Sequence, residues 1–115
     1  AYQDMLEYLK KSPNLPTAFF ADNDNLALGA MQALKETGFR IPEDVSIIGF
    51  DDLPFCEIAV PSLTSLRVPK QEMGRLAVRE IVEIIQGRGD TKTKIQICTE
   101  FMERNSVCDR NNIIL

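Results

Sequence analysis

The chain has 115 residues, 44% of them hydrophobic and 26% charged, enough for one small domain of ordinary globular composition. It carries 13 Lys and Arg against 17 Asp and Glu, a net charge of -4, with no basic run; this argues against binding of a phosphate backbone by this segment. With no His and only 3 Cys, widely spaced, the chain offers neither a zinc site nor a His-based triad, and a reduced, cytoplasmic compartment follows. No membrane-spanning run and no signal peptide are visible. The chain opens on Ala1-Tyr2-Gln3, without an initiator Met and already inside an amphipathic pattern, so a fragment of a longer protein is expected.

Tyr2, Met5, Leu6 and Leu9 stand at i, i+3, i+4 and i+7 and predict an amphipathic helix with Asp4, Glu7, Lys10 and Lys11 outward. Ser12-Pro13-Asn14-Leu15-Pro16 ends it. Thr17 to Ala21 reads as a short buried strand. A helix follows from about Asn25 to Thr37, with Leu26, Ala27, Ala30, Met31 and Leu34 on its buried face and Gly38 just past its end. Val45 to Phe50 reads as a second buried strand. A helical turn is expected near Phe55 to Ala59 and a third strand from Leu63 to Val68. Pro69 opens a long helix, about Lys70 to Gln86, apolar over more than half its circumference; a core helix between two layers is the favoured reading, and a surface that meets a region or subunit outside this chain is the other. Gly87 and Gly89 stop it. Two strand-like runs, Lys94 to Cys98 and Glu100 to Arg104, complete the pattern. The alternation predicts an α/β fold with a parallel, helix-covered sheet.

The two apolar runs TAFFADND and VSIIGFDD each empty into acidic and amide residues. In an open parallel sheet, ligands bind at the carboxyl ends of the strands. Asp22, Asn23, Asp24, Asp51 and Asp52 therefore form a candidate polar edge. Asn23 or Asp24 caps the following helix, and capping is the favoured role for Asp24. The amide of Asn23 offers a donor and an acceptor together, which suits a hydroxyl. Asp51 and Asp52 fit equally a turn with Asx bonds or carboxylates that accept hydrogen bonds from a sugar hydroxyl or an amine. A third reading is a Mg-dependent phosphoryl-transfer enzyme using Asp51 and Asp52, for which Lys70 is the one nearby cation in the sequence pattern. No glycine-rich phosphate loop exists. Gly29, mid-helix, and Gly49, mid-strand, mark close backbone packing instead.

The order and spacing of PTAFFADNDNLALGAMQALKETGFRIPEDVSIIGFDDLPF, PSLTSLRVPKQEMGRLAV and EFMERNSV resemble the LacI/GalR family of bacterial transcription regulators, from about Tyr2 to Val107. The resemblance implies a non-enzymatic protein without a cofactor, built on a core like the periplasmic sugar-binding proteins (type I). In such a core, two α/β subdomains hold an effector between them. This chain would be the C-terminal portion, lacking the DNA-binding headpiece, the hinge and most of the N-terminal subdomain. Residues 1–68 and 100–108 would belong to the C-terminal subdomain and 69–99 to the N-terminal one. By the same resemblance, Asn23 and Asp51 bind the effector, a sugar or phosphosugar, and Asp24 caps. Val68 stands where some sugar-responsive members carry Gln. Leu28, Phe55, Ile58 and Val60 would lie at a homodimer interface. Operator DNA would be a partner only through the headpiece. A free sugar receptor of the same fold is the nearest alternative.

Overall fold

The computed structural model describes residues 1–11, 14–89 and 91–109. The expected break at Ser12 and Pro13 lies outside them. Two compact units emerge. One holds Ala1–Arg67 together with the described residues from Phe101 onward; the other is Val68–Glu100.

In the first unit, α1 (Tyr2–Lys10) leads into β1 (Ala18–Phe20), α2 (Asp24–Glu36), β2 (Ser46–Asp51), a short α3 (Phe55–Ile58) and β3 (Thr64–Arg67). The chain returns through β4 (Glu100–Met102), and the sheet order is β1-β2-β3-β4. β1, β2 and β3 run parallel. Phe20 pairs with Ile48, Ile48 with Thr64, and Asp51 with Arg67. The carboxyl ends of β1 and β2 therefore open on the same edge.

The core gathers Ala27, Met31, Leu34, Ile41, Val45, Ile47, Cys56 and Leu63, with Met5 and Leu9 of α1 packed against it. Two glycines mark close approaches, as their positions predict. A Cβ on Gly29 would stand 3.0 Å from the Cβ of Ala1 and 3.1 Å from the backbone nitrogen of Tyr2, so α1 begins hard against α2. A Cβ on Gly49 would overlap the Asp24 carboxylate. Gly38 takes the left-handed conformation just past α2 (φ 91°), which only glycine adopts without strain. The tail is stitched to the sheet through the buried Ser106. Its carbonyl accepts from Ile47 N (2.8 Å), and its hydroxyl accepts from Thr64 N (2.8 Å) and donates to Ile47 O (2.6 Å).

Four expectations need correction. β1 is not buried: it is the edge strand of the sheet, and Phe20 is 59% exposed. Leu26, placed on the buried face of α2, is 39% exposed. The buried stripe begins at Ala27 and is completed by Ala33. Lys94 to Cys98 forms no strand; its residues are nearly all exposed, and no ladder partner among the described residues satisfies its backbone. The fourth concerns the second unit, which consists of α4 (Lys70–Ile85) and the segment after it. α4 is not a core helix here. None of its residues is buried, and Val78, Ile81, Ile84 and Ile85 are exposed. Its stripe has the right period but is left largely exposed.

Candidate functional site

The site is built from two parallel strand ends. β1 gives way to Ala21, whose N–H donates to Ile48 O (2.9 Å), carrying the ladder one residue further. Asp22 then lies exposed and Asn23 half-buried. Asn23 has extended backbone (φ -157°, ψ 168°), and its side-chain oxygen accepts from Leu26 N at 3.0 Å. That is the geometry of an N-cap. The cap role expected for Asp24 thus falls to Asn23.

Asp24 is the first residue of the helix and turns inward instead. It is fully buried. Its Oδ1 accepts from the Ser65 hydroxyl (2.6 Å) and its Oδ2 from Leu53 N (2.7 Å). A buried carboxylate is tolerated only when such bonds replace water. Ser65 Oγ in turn accepts from Asp52 N (3.1 Å). The turn after β2 is therefore held at two successive backbone amides, those of Asp52 and Leu53. It needs that support: Asp51 has φ 105° and Asp52 φ 51°, both left-handed and both costly for a residue with a Cβ.

The Asp52 side chain is buried rather than presented to solvent. Its carboxylate, 4% exposed, meets two arginines: Arg67 Nε donates to Oδ2 at 2.7 Å, and Arg104 Nη1 stands 2.7 Å from Oδ1. Among the described residues Oδ1 has no well-aligned hydrogen bond, so the charge contact with Arg104 is what compensates it. Arg104 Nη1 also donates to Leu63 O (2.8 Å). Burial pushes the Asp52 carboxyl up, but the guanidinium groups of Arg104 and Arg67 outweigh it and hold it below the usual carboxylate range. Two guanidinium groups on that carboxylate would repel a divalent cation. Among the described residues, no group of three acidic, Cys or His side chains is placed to hold a metal. The phosphoryl-transfer reading finds no support here.

Behind the turn, Cys56 is fully buried. Burial, the Asp24 carboxylate and the charge of Asp52 push its thiol up to about 12. The sequence reading missed Ser65, Arg67 and Arg104. The polar pair Thr64-Ser65 inside the otherwise apolar run from Leu63 carried the one available signal.

A second feature lies on the other flank of α2. Leu28, Met31, Phe55, Ala59 and Val60 line a shallow groove of about 530 Å³, where Lys35 Nζ also donates to Val60 O (2.7 Å). Ile58 and Val60 are 80% and 76% exposed. A wider concavity, about 1160 Å³, lies in the second unit along α4 between Met73 and Ile97, and no residue of the strand-end edge lines it.

The profile of the periplasmic binding protein-like domain matches residues 1–107. The probable HTH-type transcriptional repressor ExuR of Bacillus subtilis (strain 168) is 39% identical over 102 residues, covering 89% of this chain and 31% of that protein. Among solved structures, the Lac repressor dimer bound to operator and the anti-inducer ONPF superposes with a TM-score of 0.86 at 27% identity, covering 94% of this chain and 37% of that one. The transcriptional regulator CelR in complex with cellobiose superposes with a TM-score of 0.84 at 35% identity, covering 91% of this chain and 32% of that one. The chain spans about a third of the length of these relatives. It belongs to the periplasmic binding protein-like domain family, as part of a core of the LacI/GalR regulator type.

Proposed function

We propose that this chain is the effector-sensing part of a cytoplasmic LacI-type transcription regulator. A hydroxyl-rich effector, sugar or phosphosugar, meets Asn23 and Asp51 at the ends of β1 and β2. Its occupancy biases the regulator between conformations with different operator affinity. The effect is bounded by the effector's differential affinity for those conformations. The observation that carries this reading is the left-handed turn at Asp51, fastened by Asp24 and Ser65 beside the Asn23 cap. Backbone strain held in place by buried hydrogen bonds is the mark of a position kept for recognition. Asn23 spends its oxygen on Leu26 N, so its amide N–H groups serve an acceptor oxygen on the ligand, while Asp51 accepts from hydroxyl donors.

Under the same proposal, residues 1–68 and 100–108 form the C-terminal subdomain and 69–99 belong to the N-terminal one. Leu28, Phe55, Ile58 and Val60 meet a second copy, and operator DNA is reached through a headpiece elsewhere in the full-length protein. The test is a thermal-shift screen of full-length protein against cellobiose, other sugars and phosphosugars. A binding ligand at a hundred times its Kd adds about 2.7 kcal/mol of stability. Asp51→Asn should lose that shift. A screen in which no sugar or phosphosugar raises the midpoint would reject the effector class.

A further inference from the structure

We infer that Asp52 is the positioning residue of this site: its carboxylate fastens the turn that carries Asp51 to both chain crossings, at Arg67 and at Arg104. The inference rests on the reading of Asp51 as a ligand contact and adds to it the route by which that contact is held. Arg67 is the last residue of the first unit before the chain passes to Val68. Arg104 stands three residues after the chain re-enters at Phe101. These two crossings are far apart in sequence, yet a single buried carboxylate takes an arginine from each. Asp52 is also the residue directly after Asp51, and both have left-handed backbone. Any shift of the turn that re-aims Asp51 must move the Asp52 carboxylate, and with it both guanidinium groups.

The surrounding contacts favour such a strut over a generic surface ion pair. Asp52 and Arg104 are 4% and 12% exposed, so their pair is little screened by solvent, while Arg67 reaches the same carboxylate from a half-buried position. Its backbone N–H is held by Ser65, which leaves the side chain a defined direction. Arg104 is oriented independently, by Leu63 O and by Glu57 at 3.5 Å, so it reaches Asp52 from a fixed base. The Arg104 backbone N–H is tied to Thr64 Oγ1 (2.9 Å), locking the returning strand to β3.

Amide hydrogen exchange on full-length protein, read residue by residue without ligand, tests this. Asp52→Asn should speed exchange about tenfold at three separate places, residues 51–53, 66–68 and 102–104, with Leu34 and Ile47 unchanged. Asp52→Glu, which keeps the charge, should recover most of the protection. Arg67→Gln should loosen 51–53 and 66–68 but not 102–104, and Arg104→Gln the reverse pair; these variants keep the test alive if Asp52→Asn does not fold. Loosening confined to 51–53, or a uniform rise that includes Leu34 and Ile47, overturns the inference. Because no ligand is used, that failure is distinct from a failure of the effector reading. With cellobiose or another screened sugar bound, the wild type should slow exchange at all three places and Asp52→Asn at 51–53 alone.

Discussion

Gly49 and Asp24 fit together only because one of them has no side chain. A Cβ on Gly49 would overlap Oδ1 of Asp24 and stand 3.1 Å from Leu63 Cδ2. The missing methyl is the space in which the buried carboxylate sits. Gly49→Ala should therefore displace Asp24 and cost about 1–3 kcal/mol by overpacking. Urea unfolding reads this as a lowered midpoint at constant slope. An unchanged midpoint would mean that Asp24 has room to move aside.

The exchange of roles between Asn23 and Asp24 gives an order of effects. Removing the cap with Asn23→Ala should cost about 1 kcal/mol. Asp24→Ala should cost more, about 1–3 kcal/mol for each buried donor it strands, namely the Ser65 hydroxyl and Leu53 N. A double-mutant cycle of Asp24→Ala with Ser65→Ala should show coupling of about 0.5–3 kcal/mol. If Asn23→Ala proved the more damaging of the two, the cap would outweigh the buried network.

The depressed carboxyl of Asp52 makes part of the stability acid-sensitive. An unfolded aspartate titrates near 3.8, and the native one lies below it. The native state therefore binds fewer protons than the unfolded one in this range. The contribution is fully present above about pH 5 and is lost as pH falls through the folded value. Urea titrations of the wild type and Asp52→Asn at pH 7, 5 and 3 should show the stability gap between them narrowing at the lowest pH. A gap that widens in acid would contradict the ion-pair assignment.

The groove beside α2 makes a prediction about assembly. Ile58→Asp and Val60→Ser place polar groups on its most exposed apolar rim. Sedimentation should show weaker self-association with little change in the unfolding midpoint of the monomer, because both side chains are already in solvent. A wild-type chain that stays monomeric at high concentration would remove this groove from the dimer proposal.

Local periodicity made the parallel sheet and both long helices legible. Met5 and Leu9, Ala27 and Met31, and Ile47 all face the core as their spacing requires. Asp24 was not legible, because capping and burial place the same residue type at the same point of a helix. What decides between them is Gly49 and Ser65, which are distant in sequence and brought close only by strand register. The Asp52 pairs were hidden for the same reason: Arg67 comes beside the turn through the pairing of β2 with β3, and Arg104 through the returning tail. The α4 stripe was legible as apolar, but the choice between a core helix and an exposed surface was not, and the favoured core reading is the one that fails. Periodicity reports which residues share a face, not whether another layer covers it.

The raised thiol of Cys56 separates the cysteines chemically. With its thiol pushed up to about 12, Cys56 stays protonated at neutral pH and is a poor nucleophile. Cys98 is exposed, and Cys108 is half-buried with its thiol on Pro42 O (3.3 Å). A maleimide dye should thus attach at Cys98 first and leave the wall behind the Asp51 turn untouched. The native sequence carries its own fluorescent handle, one that can follow the second unit without a single substitution near the strand-end site.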